Sequence, residues 1–173
     1  MEERYLTVGE IIRYSNHDFL NQLQLISMHL QLGNVDAVYE RIEQFQQQSQ
    51  KTSQLSKIQL PKTAEWLLTA HWRFPALKFS IVNESSSEAP IAFDELLASY
   101  LEHTVIHVYN TLDPYEEQRI CITLKHAPQF TVDVTIEGKW AATESLQYAN
   151  SEYMSINIIE QNENIIKVVF NKE

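Results

Sequence analysis

Between Arg4 and Leu55 apolar residues recur every three or four positions, and this pattern is interrupted once, at Leu32-Gly33-Asn34. The spacing predicts helix on both sides of the break. Gly33 suits the left-handed position just past a helix end, and Asn34 can cap the helix that follows. The first helix runs from about Arg4 to Leu32. In the second, Val35, Val38, Ile42, Phe45 and Ser49 keep the spacing through a Gln-rich, solvated stretch towards Leu55. A tight turn between them makes an antiparallel hairpin. Ile12, Phe19, Leu23, Ile26 and Leu30 share one face of the first helix and are expected to be buried. Tyr5, Leu6, Leu25, Met28 and Leu32 then still need cover. Two helices cannot cover both sets. A homodimer, in which two hairpins form a four-helix bundle across a two-fold axis, is the expected solution, with a hairpin packed on its own C-terminal domain as the rival.

The second half changes character at Leu60-Pro61, since proline disfavours helix at the residue before it. Thr63 is expected to cap a short helix through Trp66, Leu67 and Ala70 to Trp72. Leu77, Phe79 and Ile81 alternate with polar residues and read as a strand, followed by a loop from Asn83 to Pro90 around Ser85-Ser86-Ser87. Phe93 to Leu112 is a strongly apolar helix, the expected spine of this half. Arg119 to Lys125 and Phe130 to Ile136 read as strands joined by a hairpin-length turn at His126-Ala127-Pro128-Gln129. Thr143 to Asn150 reads as a short helix. Ser155 to Ile159 and Ile165 to Phe170 read as a closing pair of strands. Helices over one face of a mostly antiparallel sheet make an α+β sandwich. The expected domains are 1–58 and 59–173.

Composition excludes several functions. The net charge of −10 argues against a surface that tracks nucleic-acid phosphates or an anionic membrane. No stretch has the apolar length of a bilayer span. The start, Met1-Glu2-Glu3-Arg4, lacks the basic and apolar segments of a signal peptide, so a cytoplasmic location is expected. The single cysteine, Cys121, rules out a disulfide within the chain and reads as a buried strand thiol. The three glycines, Gly9, Gly33 and Gly138, are far apart, whereas phosphate-cradling loops need several close together. P-loops, dinucleotide fingerprints and kinase-type glycine lids are therefore absent in their usual forms.

Candidate chemistry concentrates in the first helix. Glu10, Arg13, His17, Asn21 and Gln24 follow helical spacing and form a polar stripe. His17 thus faces solvent from a rigid support, with the carboxylate of Asp18 beside it. An imidazole held this way can act as a nucleophile, because its neutral form is available near pH 7. A solvated histidine on a polar helix face is the plain alternative. His103 and His107, four apart on the apolar helix, resemble a pair of metal ligands, but no third ligand accompanies them and Glu102 points elsewhere. No metal site is expected.

The run His17-Asp18-Phe19-Leu20-Asn21-Gln22-Leu23-Gln24-Leu25-Ile26, continued by Leu30 and Leu32-Gly33, resembles the H-box of one branch of the histidine kinases. There the histidine is followed by Asp or Glu, then by Asn and a Leu-Gln or Leu-His pair. The hairpin is similar to that family's dimerisation and phosphotransfer domain, and the second half to its ATP-binding domain. Aligning the kinase helix whose asparagines hold Mg–ATP with Leu101 to Asn110 puts His103 and His107 at those positions. The glycine box falls near Ile136-Glu137-Gly138-Lys139-Trp140, where one glycine survives and Trp140 takes its neighbour's place. An indole there would block the backbone approach to nucleotide that glycine permits.

An intact phosphoacceptor hairpin with a degenerate histidine-kinase-like ATPase sandwich looks like the phosphorelay histidine phosphotransferases of endospore-forming bacteria. The resemblance implies that His17 accepts a phosphoryl group from a single-domain response regulator and passes it to a sporulation transcription factor. It implies that Asp18 orients or charge-balances the ring. Arg13, Asn16, Leu20, Asn21 and Gln24 would contact the docked receiver. Asn16 stands where the family often has Arg, and Arg13 offers a cation one turn earlier. No cofactor of the chain's own is implied, since the receiver brings the Mg²⁺. A sensor-type histidine kinase of the same branch would instead take label from ATP. A non-catalytic dimeric scaffold for receivers would not need His17.

Overall fold

The computed structural model describes residues 5–84, 91–125, 129–141, 144–149 and 151–173. They divide into two compact units, one ending at Gln54 and the other running from Leu55 to Glu173.

The first unit holds α1 (Val8–Gln31) and most of α2 (Val35–Leu55). Thr7 starts α1 with a capping box: its Oγ1 accepts the Glu10 N–H at 3.2 Å, and Glu10 Oε2 accepts the Thr7 N–H at 2.9 Å. Gly33, at φ +70°, ends the helix as expected. Asn34 Oδ1 then accepts the Ala37 N–H at 3.2 Å and opens α2. The expected buried face of α1 needs correction, because within one chain α1 buries no residue completely. Ile12, Phe19, Leu23 and Leu30 stay about half exposed, while Ile11, Tyr14, Gln22, Leu25, Ile26 and His29 are half-buried. A helix pair shelters one line of side chains on each member, so a second apolar line on α1 remains open. Phe19 reaches Phe45 of α2 at a ring separation of 6.0 Å.

The second unit is the expected α+β sandwich. Its elements are α3 (Pro61–Arg73), β1 (Leu77–Asn83), α4 (Ile91–Tyr109), β2 (Gln118–Lys125), β3 (Thr131–Glu137), β4 (Met154–Gln161) and β5 (Ile165–Lys172). The sheet order is β1-β2-β3-β5-β4, with β1 parallel to β2 and all other pairs antiparallel. Alternation sends Ile120, Ile122, Leu124, Val132, Val134, Ile136, Ile166, Val168 and Phe170 into one core with Trp66 and Leu67 of α3 and Leu97, Leu101 and Val105 of α4.

Four expectations change here. Thr63 does not cap α3. Pro61 is the first helical residue, and Asp94 of α4 accepts the N–H groups of Lys62 and Thr63, each at 2.8 Å. The apolar helix α4 ends at Tyr109, and Leu112 instead forms a β-bridge with Trp140. Residues 144–149 are not helical, because the Leu146 N–H goes to the side chain of Gln161 at 2.9 Å and the Leu146 side chain is buried. Cys121 is exposed, because its neighbours Ile120 and Ile122 take the core face and period-2 alternation turns the thiol outward. The Ser85-Ser86-Ser87 loop, the His126-Ala127-Pro128 turn, Thr143 and Asn150 lie outside the described residues.

Candidate functional site: the His17 surface of the first helix

His17 lies just before the middle of α1, whose N-terminus is locked by Thr7, so its backbone is fixed by regular helical hydrogen bonding. Its side chain is 69% exposed. Nδ1 stands 3.4 Å from Asp18 Oδ1 and 3.3 Å from the Asn21 side-chain amide. An Nδ1–H can donate to Asp18, and the Asn21 amide oxygen can accept the same proton if the amide is turned. The Asp18 contact favours the proton on Nδ1, which leaves the lone pair on Nε2.

Arg13, Asn16, Asp18, Leu20, Asn21 and Gln24 are all exposed around His17 on α1. The Arg13 guanidinium lies over the Tyr14 ring at 5.4 Å, which holds it near the helix rather than extended. Glu10, the first member of the polar stripe, is engaged at the cap. Asn21, expected only as a partner contact, also touches the imidazole itself. Its one-turn spacing from His17 is the sequence signal for that contact.

The other sequence candidates do different work. Glu102 is buried. It accepts the Trp66 Nε1–H at 2.6 Å and forms an ion pair with Arg73, tying α3 to α4. His103 is exposed and His107 half-buried, with ring centroids 6.5 Å apart. Among the described residues no group of three or more His, Cys, Asp and Glu could hold a metal ion. Trp140 is 4% exposed and part of the core. Gly138 packs against Gln118, a buried residue that the sequence did not single out. No helix among the described residues is long and apolar enough to cross a membrane.

Residues 1–58, the segment that carries His17, match the family model of the SpoOB-type sensor kinase alpha-helical domain. The particular relative it resembles is sporulation initiation phosphotransferase B of Bacillus subtilis (strain 168), at 30% identity over 102 residues, or 58% of this chain and 52% of that protein. The match thus spans about half the length of the curated relative. Among solved structures, the chain is similar to a blue-light activated histidine kinase of Erythrobacter litoralis, with a TM-score of 0.47 at 11% identity, covering 99% of this chain and 62% of that one. It is also similar to a bacterial phosphotransferase, with a TM-score of 0.40 at 13% identity, covering 98% of each chain.

Proposed function

We propose that this protein is a phosphorelay phosphotransferase in which His17 is the phosphoacceptor. The observation that carries the reading is the exposed imidazole, with Asp18 and Asn21 at its Nδ1. Nε2 attacks the phosphorus of an aspartyl phosphate on a receiver domain. The P–N bond forms, the P–O bond to the receiver breaks, and its carboxylate leaves. The Nδ1 proton stays on the ring, where the Asp18 carboxylate balances the charge that builds up. In the return step a carboxylate oxygen of a second receiver attacks, and the P–N bond breaks. Phosphoryl transfer of this kind needs mainly positioning and electrostatic stabilisation. The receiver would bring the Mg²⁺ that neutralises the phosphoryl oxygens.

On this reading the donor is a single-domain phosphorelay regulator and the acceptor a sporulation transcription factor, as the H-box resemblance implies. Arg13, Asn16, Leu20, Asn21 and Gln24 surround the imidazole and form the receiver contact. The open line of Ile12, Phe19, Leu23 and Leu30 supports a homodimer built as a four-helix bundle. ATP is not the phosphoryl source on this reading. Burial of the Trp140 indole, at a position where the kinase resemblance puts glycine, supports that.

The test is incubation with a receiver carrying labelled aspartyl phosphate, followed by a search for acid-labile, base-stable phosphate on this chain. Label is expected on the native chain and absent from His17→Gln, which should still bind receivers. Label that persists in His17→Gln, or no transfer with any cognate receiver, refutes the assignment. Label from ATP alone would favour a kinase.

A further inference from the structure

β4 (Met154–Gln161) closes the sheet order and pairs only with β5. The hydrogen bonds at its start fix which of its backbone groups face outward. The Glu173 N–H donates to the Tyr153 carbonyl at 3.2 Å, so these two opposed residues form a hydrogen-bonded pair. In an antiparallel ladder bonded and non-bonded pairs alternate. Ser155 with Asn171 and Asn157 with Val169 are therefore bonded pairs, whereas Ile156 with Phe170 and Ile158 with Val168 are not. The other side of β5 agrees: the Lys172 N–H donates at 3.0 Å to the Phe130 carbonyl beside β3, away from β4. The N–H and C=O groups of Ile156 and Ile158 thus point out of the sheet edge, where no further strand stands among the described residues.

Sheet edges are usually guarded by a charge, a proline or a covering element. The opposite edge strand, β1 (Leu77–Asn83), carries the exposed Lys78. In β4 the run from Tyr153 to Ile159 holds no charged residue, proline or glycine. Ile158 is 40% exposed and Ile159 65%, and Asn157 is exposed beside them. A register shift between Ile158 and Glu160 stops regular pairing at that end. The open stretch therefore offers outward donors and acceptors together with apolar side chains that an added strand would cover.

Charge selects the occupant. Glu152 is exposed just before the run and Glu160 just after it. Gln161 donates to the Glu144 carbonyl at 3.0 Å, which brings Glu144, at the start of the non-helical strap 144–149, to the same end. Lys167, 3.1 Å from Glu160, offsets one of these acids. Two copies of β4 laid antiparallel about Ile156 would set Glu152 of each near Glu160 of the other, and like charges across a ladder are destabilising. The net charge of −10 acts in the same sense. A strand with a basic residue at each end meets these acids favourably.

We propose that the free edge of β4 takes an added strand from a protein partner, an extended segment with apolar residues at alternate positions and a Lys or Arg at each end. Its residues opposite Ile156 and Ile158 share their face and are apolar, and the one opposite Asn157 is small and polar. This surface does not depend on the role of His17.

The probe is the peptide Lys-Val-Thr-Val-Ser-Val-Lys, capped at both termini and added to the full chain, with hydrogen exchange read by mass spectrometry. At roughly 1 mM peptide, protection should rise across β4 and stay unchanged in β1. The rise should shrink as salt screens the end charges. The same peptide with proline in place of its central valine keeps the charge but loses one ladder N–H, and should bind about fivefold more weakly or worse. Ile158→Pro makes the matching change on the protein, because the N–H it deletes faces outward and not towards β5. Should that variant not fold, the proline peptide decides the question on the native chain. Unchanged β4 exchange, equal effects of the two peptides, or protection of β1 in place of β4 overturns the proposal. So does β4 protection that rises with protein concentration in the absence of peptide, since a second copy would then hold the edge.

Discussion

Replacing Gly138 with alanine tests whether this glycine serves the fold. A Cβ at this position would lie 1.6 Å from Gln118 Oε1, 2.7 Å from its Cδ and 3.3 Å from its Cα. The first two atoms can swing away only if the Gln118 side chain leaves its place, and the third is backbone. The φ of +157° adds strain for any L side chain. Gln118 is 3% exposed and binds only backbone: its Nε2 donates to the carbonyls of Asp113 at 3.0 Å, Glu116 at 3.3 Å and Lys139 at 3.1 Å, and its Oε1 accepts the Lys139 N–H at 2.9 Å. At roughly 1 kcal/mol net for each hydrogen bond, displacing this side chain costs about 3–4 kcal/mol. Gln118→Ala removes the same bonds and should cost about as much. The double variant should then fall well short of the sum, with a coupling of about 2 kcal/mol. All three tryptophans, Trp66, Trp72 and Trp140, lie in the second unit, so urea unfolding followed by tryptophan fluorescence reports on that unit. Additivity of the two substitutions within about 0.5 kcal/mol would refute the argument.

Two further substitutions probe the core tie and the open helix line. Arg73→Met leaves the Glu102 carboxylate buried without its cation and should destabilise the second unit by about 3–5 kcal/mol in the same unfolding assay, whereas the pair Arg73→Met with Glu102→Leu should recover much of that loss. A loss below about 1 kcal/mol for Arg73→Met alone would mean that the ion pair contributes little. Leu23→Glu puts a charge on the open apolar line of α1 and should convert a species of twice the 20.2 kDa chain mass into monomer by sedimentation velocity. Unchanged sedimentation would move the interface elsewhere.

The parts of the fold that local chemistry decides are legible in the residues. Gly33 and Asn34 carry the turn of the hairpin by themselves, since one supplies a left-handed φ and the other a capping oxygen within three residues. Alternation in 120–124, 132–136 and 166–170 gives three core strands without reference to anything distant. The exposure of His17 follows from its place on a polar stripe. What escapes a local reading is decided by groups far away in sequence. The cap of α3 comes from Asp94, about thirty residues on, so Thr63 next to the helix start misleads. The strap has the residues of a short helix, yet the partner of its Leu146 N–H is Gln161, on another element. Which of the two apolar lines on α1 stays open is a packing outcome that periodicity cannot choose, because both lines have the same period. Cys121 is different: the alternation of Ile120 and Ile122 already places it outward, and the apolar character of the run hides that.

The reading of Gly138 and Trp140 also changes once packing is known. From sequence, Gly138 and Trp140 read as a remnant and a loss within one glycine box. In the fold both have present uses. Gly138 makes room for Gln118, which joins the backbone around 113–116 to Lys139. Trp140 pairs its backbone with Leu112 and buries its indole in the core. Leu146 is buried in the same core, and Tyr148 packs over α4 against Phe170. Trp140→Gly should therefore remove core volume and destabilise the second unit by about 3–5 kcal/mol in the urea assay, and a loss below about 1 kcal/mol would mean that the indole is not a core anchor.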